Sequence, residues 1–266
     1  MSVATRTLHA EWTKVRTVRS SGWLLVGIAT LTLGLGVLVA ASVRFAECAP
    51  PGGECQMDPT RVALSGVYAG QVAAVLFGVL VVSSEYAAGT MRTTLVAVPR
   101  RWVTLVAKVA VVGGPVLVAA VLSVAVSLLV GRVVLPVNGF TPANGYPALS
   151  PTDPATLRAS VGTVLYLGLI ALLSLGVALV VRHTGAAIAT ALGLLFVFPL
   201  IAALVTEPRW REWLTEWAPM SAGLAVQATR GLEAAPVGPW QGLGVLAAYA
   251  VAALVLGGVA LEVRDA

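Results

Sequence analysis

Charged side chains make up only 11% of this 266-residue chain, so each can be weighed for the chemistry it would support. The densest reactive stretch is Glu85-Tyr86-Ala87-Ala88-Gly89-Thr90-Met91-Arg92-Thr93-Thr94-Leu95-Val96-Ala97-Val98-Pro99-Arg100-Arg101. Its Glu85 and Tyr86 form an adjacent acid and base, but no third group is placed to orient them. No H-E-x-x-H, G-x-S-x-G or paired-carboxylate cluster occurs, which argues against a membrane enzyme. The two histidines, His9 and His183, lie far from Cys48 and Cys55, which disfavours a zinc site. No G-x-x-x-x-G-K-[ST] loop is present either, so the chain does not hydrolyse ATP by the P-loop route itself. Net charge is +5, yet no basic stripe with interleaved aromatics points to nucleic acid.

The same stretch reads as a short helix lying along the membrane, where an ordinary topogenic loop would need its arginines but not its Gly-Thr start and Pro stop. Thr90 can cap a short helix beginning at Met91, and Pro99 disfavours helical geometry at Val98 and ends it. Arg100 and Arg101 then fall at its C-terminal end, where the helix dipole favours cations. Met91, Leu95 and Val98 share one apolar side. Two turns are unstable alone in water, so the packing must come from the membrane side or from a partner protein. A second such element precedes the first apolar run. Within residues 1–21, Leu8, Trp12 and Val15 recur at helical spacing, with His9, Glu11, Lys14, Arg16 and Arg19 between them. This predicts an amphipathic helix in the membrane interface, its cations toward anionic lipid, with Ser20-Ser21-Gly22 as the joint that follows.

The elements that must position these residues are apolar spans. Hydrophobic residues form 58% of the chain and mean hydropathy is +0.90, which excludes an ordinary soluble domain. A hydrocarbon core of about 30 Å needs roughly 20 helical residues. Six runs meet that length, at 22–43, 62–83, 103–130, 159–181, 185–205 and 240–261. The expected fold is therefore all-α, a six-helix transmembrane domain over 22–266 preceded by the amphipathic segment 1–21. Lys108 is the one charge inside a span, near its start, where its head is expected to extend to the interface. Gly113-Gly114-Pro115 interrupts span three, and Gly66-x-x-x-Gly70 in span two allows close helix approach.

With six spans both termini share one side, and ten of the 17 Lys and Arg residues fall there against seven on the other, despite its longer loops. The positive-inside rule places both termini and the Glu85–Trp102 loop in the cytoplasm. Cys48 and Cys55 then lie in the first outer loop, where a disulfide is permitted. Residues 131–158, with five prolines and two Asn-Gly turns, read as a loop cap. In Glu207–Trp217, Trp210, Trp213, Leu214 and Trp217 share a helical face, which predicts a helix at the outer interface between spans five and six, a plain aromatic belt being the alternative, with a second short segment near 223–230. Apart from Lys108 the spans carry no charge, and no Asp, Glu or His relay, which favours a hydrophobic or amphipathic cargo over an ion and weakens a proton- or sodium-driven carrier.

The pattern Glu85-Tyr86-x-x-Gly89-Thr90-x-Arg92-x-Thr94-Leu95-x-x-x-Pro99-Arg100-Arg101 after a second span resembles the permease subunits of bacterial ABC-2-type ABC transporters. The lead-in Glu11-Trp12-x-Lys14-x-Arg16-Thr17-x-Arg19-Ser20 is similar to theirs as well. The resemblance covers the whole chain and implies a type V exporter-like permease in the cell membrane. It implies two copies of a cytoplasmic ABC ATPase, a second permease subunit (identical or not) and no cofactor in this chain, ATP and Mg being held by the ATPase. It further implies that residues 1–21 form a connecting helix and that an outer or re-entrant helical segment between spans five and six caps the exit path. Glu85, Tyr86, Gly89, Thr90, Arg92, Leu95, Pro99, Arg100 and Arg101 would belong to a coupling helix docked on the ATPase. An ATP-independent carrier or channel, or a structural or assembly membrane protein, are the competing expectations.

Overall fold

In hydrocarbon a backbone can satisfy its polar groups only within helices or closed barrels, and this chain takes the helical solution. A computed structural model describes residues 3–48, 57–98 and 100–264, without the side chains of Arg92, Leu95, Ala234 and Arg264, and contains no strand among them. The order is α1 (Val3–Thr17), α2 (Arg19–Ser42), α3 (Phe45–Cys48), α4 (Pro59–Ala63), α5 (Val67–Ala87), α6 (Thr90–Ala97), α7 (Arg101–Val137), α8 (Pro154–Val181), α9 (Thr184–Leu204), α10 (Pro208–Trp217), α11 (Pro219–Leu224) and α12 (Pro239–Arg264). Six of them, α2, α5, α7, α8, α9 and α12, are long and apolar enough to cross a membrane. The protein is a multi-pass membrane protein.

Several boundaries depart from the apolar runs. The second run divides into α4 and α5 at a turn over residues 64–66, and α4 starts ahead of the run because Asp58 caps it by accepting from the Thr60 and Arg61 amides. The third runs on to Val137 through Pro115 and Pro136. At about 1.5 Å per residue α7 is roughly 55 Å long, well beyond the hydrocarbon core. Gly113-Gly114-Pro115 therefore does not break span three, and the loop cap begins later than residue 131. The joint after α1 is Val18 alone, extended at φ −86° and ψ 110°. Ser20, Ser21 and Gly22 are already helical, and Arg19 opens α2 instead of closing the amphipathic segment.

The core gathers around α5 and α8, whose inner faces meet α7, α9 and α12. Phe77, Ile170, Leu173 and Leu175 are fully enclosed there. α2 reaches α5 through glycine: a Cβ on Gly66 would lie 1.6 Å from the Thr32 carbonyl oxygen, and one on Gly70 would lie 2.0 Å from the Thr32 hydroxyl. Between α9 and α12 the chain is not a surface loop throughout. α10 exposes Trp210, Trp213 and Trp217, whereas α11 and the turn Ala225–Gln227 are enclosed by the bundle. This inward segment carries polar contacts with it. Gln71 donates to the Met220 sulfur at 3.4 Å, Tyr166 donates to Gln71, and Gln227 donates to the Thr163 hydroxyl at 3.0 Å.

The loops at this end are tied together. Asp58 also accepts from the Thr229 amide and hydroxyl and from the Arg230 amide. The Arg230 guanidinium stacks 4.1 Å from the Tyr146 ring centre. Cys48 is disulfide-bonded; Cys55, the chain's second cysteine, lies outside the described residues.

Candidate functional site: a buried charge cluster joining α1, α5, α6 and α7

The opposite end of the bundle holds the feature with the greatest electrostatic consequence. Lys108 stands on the second turn of α7, roughly 10 Å from its start, and is completely buried. It does not extend to the interface. The reason is local: α1 covers this flank of α7, and two carboxylates meet the ammonium there. Lys108 donates to Glu11 Oε2 on α1 and to Glu85 Oε1 on α5, each at 2.7 Å. Lys14, one turn beyond Glu11, donates to Glu11 Oε1 at 2.6 Å, to Glu85 Oε1 at 3.3 Å and to the Thr94 hydroxyl of α6 at 3.1 Å. Two cations and two anions thus alternate across three helices, and the Thr94 hydroxyl ties the fourth, α6, to them. The second Glu85 oxygen, Oε2, is buried without a hydrogen-bond partner.

These four groups are the only ion pairs among the described residues. Taking them from water costs several kcal/mol per ion, and that cost is repaid only where the partners are held in place. The cluster is therefore a device for fixing position. It forces α1 to lie with Thr7, Glu11 and Val15 inward, while Leu8 and Trp12 remain about 40% exposed over an apolar groove between α2 and α7 near Gly114 and Pro115. The apolar stripe read from Leu8, Trp12 and Val15 is thus divided, Val15 facing the protein and the other two turned aside. Arg16 and Arg19 stay on the surface.

Burial pushes the Glu11 carboxyl up, but the charge and hydrogen bond of Lys108, with those of Lys14 behind them, hold it below its ordinary 4.5. Burial likewise works against the Lys14 ammonium, and Glu11 and Glu85 outweigh it to hold Lys14 above its ordinary 10.5. Stability from Glu11 is thus fully present above about pH 4.5 and is lost as pH falls through its depressed value. That from Lys14 is present below about pH 10.5 and is lost as pH rises through its raised value. Unfolding of the detergent-solubilised protein should consequently show a plateau from about pH 5 to 10. Glu11→Gln should flatten the acid limb; an unchanged acid limb in that variant would remove Glu11 from the account.

The remaining residues of the 85–101 motif are spread more widely. Gly89 takes the left-handed conformation, φ 70°, that ends α5 and starts α6. Thr90 is the first helical residue, not the cap, and its hydroxyl donates back to the Glu85 carbonyl at 3.4 Å. Met91 is buried, and Val96 is 85% exposed. α6 ends at Ala97 with Val98 extended beyond it. Arg92 and Leu95 lie on α6; their side chains, and Pro99, are outside the described residues. Arg100 is exposed. Arg101 turns away from α6 and donates to the carbonyls of Leu261 and Glu262 on the last turns of α12, the second at 2.8 Å.

A second arginine, not singled out in the sequence, does the same from the α8–α9 joint. Arg182, at φ 60°, donates to the Ala260 carbonyl at 2.8 Å, and its guanidinium lies 5.3 Å from the Tyr86 ring centre. Two cations thus meet the carbonyl end of α12, where the helix dipole favours them. The cluster and this arginine clamp together lock the end of the bundle that bears α1 and α6. No family model matches the chain, and no curated protein matches it.

Proposed function

We propose that this protein is the membrane-spanning permease subunit of an ATP-binding cassette exporter of the ABC-2 type, moving a hydrophobic or amphipathic substrate. It would work with a second permease subunit and two copies of a separate cytoplasmic ATPase docked on α6, with both termini in the cytoplasm of the cell membrane. The observation that carries this reading is the charge cluster. A short amphipathic helix (α1) and a short loop helix (α6) are hard-wired to the ends of two spans (α5 and α7) by Lys14 and Lys108. A push on α6 would reach both spans and α1 without passing through a flexible loop. Bistable packed elements transmit small displacements in this way.

Two further features support it. The motif from Glu85 to Arg101 resembles that of ABC-2 permeases, and the sequence holds no phosphate-binding loop of its own. The exposed Val96 and Arg100 leave part of the α6 region open to a partner.

Exchanging Arg92 and Arg100 together for Glu reverses two charges of the motif. The double variant should insert and purify as the parent does, and lose both co-purification of the ATPase and stimulation of its ATP turnover, by at least about tenfold, as expected for a rim charge pair worth 1.4 kcal/mol or more. Undiminished capture and stimulation of the ATPase would refute the docking assignment. If no ATPase accompanies the native protein at all, an ATP-independent carrier or an assembly protein becomes the better description.

A further inference from the structure

At the opposite end of the bundle an apolar groove of about 510 Å³ runs between the second half of α7 and the first half of α8. Its walls are Val121, Ala125, Leu129, Val161 and Leu165, and Arg132 stands at its mouth as the one charged residue lining it. Volumes of about 300–1,000 Å³ are those of small-molecule sites. Arg132 is exposed and has no ion pair with any described residue. The nearby polar groups are committed elsewhere. Ser160 donates to the Thr156 carbonyl, Ser150 and Thr152 share a hydrogen bond, and Asp153 accepts from the Thr156 amide and hydroxyl.

The depth of the groove fixes what it meets. Arg132 lies roughly 36 Å further along α7 than Lys108, at about 1.5 Å per residue. That distance slightly exceeds the hydrocarbon core of about 30 Å. With the charge cluster near one interface, Arg132 reaches the headgroup layer of the other, and the apolar walls below it run alongside acyl chains. A lone arginine above a hydrocarbon-lined slot has the charge and shape of a receptor for one lipid tail carrying an anionic head.

We propose that the α7–α8 groove is a binding site for an anionic phospholipid, its phosphate on Arg132 and one acyl chain between Leu129 and Val161. The site is independent of the transport reading, since it requires only that the helices cross a membrane. The test is reconstitution of the full chain into phosphatidylcholine nanodiscs containing a minority of phosphatidylglycerol, with native mass spectrometry of the lipid that stays bound. The parent should retain phosphatidylglycerol out of proportion to its share. Arg132→Gln should reduce that preference about five-fold, the loss of about one headgroup–cation contact, and leave phosphatidylcholine retention unchanged. Ala125→Trp, which fills the groove from an exposed position, should abolish retention of both. Equal retention of the two lipids by the parent, or an Arg132→Gln variant that keeps the preference, overturns the proposal. So does an Ala125→Trp variant that keeps its lipid but changes oligomeric state, because the groove would then be covered by a second copy.

Discussion

Replacing Lys108 with Met should destabilise the protein by about 3–5 kcal/mol, the range for stranding a buried charge by removing its partner. Two carboxylates lose their shared ammonium at once, because Glu11 Oε2 and Glu85 Oε1 each sit 2.7 Å from it. Lys14 remains beside Glu11 but reaches Glu85 only at 3.3 Å, so it cannot compensate both. The matched control is the triple change Lys108→Met, Glu11→Gln and Glu85→Gln. Neutral residues of similar volume are often as stable as the buried ion pairs they replace, and Lys14, its side chain 36% exposed, can keep its charge in water, so most of the loss should return. Denaturant titration of the solubilised protein reads both. A single variant within about 0.5 kcal/mol of the parent would mean that the cluster is not closed to water, since changes of that size are those of surface positions. Under the proposed function the two variants diverge again. The triple variant should fold yet transmit poorly, because hydrophobic contacts alone do not hold α1 and α6 in register with α5 and α7.

The second large effect concerns the contact between α2 and α5. Gly66→Ala places a methyl group against the Thr32 carbonyl and the Gly36 amide, 1.6 and 2.8 Å from where the Cβ must lie. Both are backbone atoms, so no rotamer change relieves the clash, and the helices must separate. Overpacking of a rigid site typically costs about 1–3 kcal/mol, and this one should fall at or above the upper end. Gly34→Ala on α2 supplies the comparison, because nothing lies within 4 Å of its new Cβ. There the substitution should be neutral or stabilise by up to about 1 kcal/mol, the helical preference of Ala over Gly. Thermal unfolding monitored by size-exclusion chromatography separates the two. Similar midpoints would show that α2 and α5 are not in backbone contact.

Much of the architecture was readable without coordinates. Uninterrupted apolar runs leave a membrane-crossing helix as nearly the sole physical option, and the six runs correspond to the six long helices. Ends were read less well. Pro115 and Pro136 argued for breaks that α7 does not make, and α4 opens ahead of the apolar run because Asp58 caps it. Tyr86, Gly89 and Arg101 were singled out as parts of a loop motif. Their contacts, with Arg182, with the turn into α6 and with the carbonyls of α12, involve residues distant in sequence or a backbone angle. Gln71 and Gln227 gave a faint signal as isolated amides in apolar surroundings, but their partners Tyr166, Met220 and Thr163 were not legible.

Lys108 is the clearest case of the division. By itself the sequence determined that this protein lives in a bilayer, that it crosses six times, and where its few charges stand along the chain, because hydrophobic length and helical rise are local properties. A single lysine near a span's end reads as one that extends to water, and nothing local contradicts this. Only the tertiary structure decided otherwise, by laying Glu11 from α1 and Glu85 from α5 against it. The energy of a buried ion is set by what lies within a few ångströms of it, not by its neighbours in sequence.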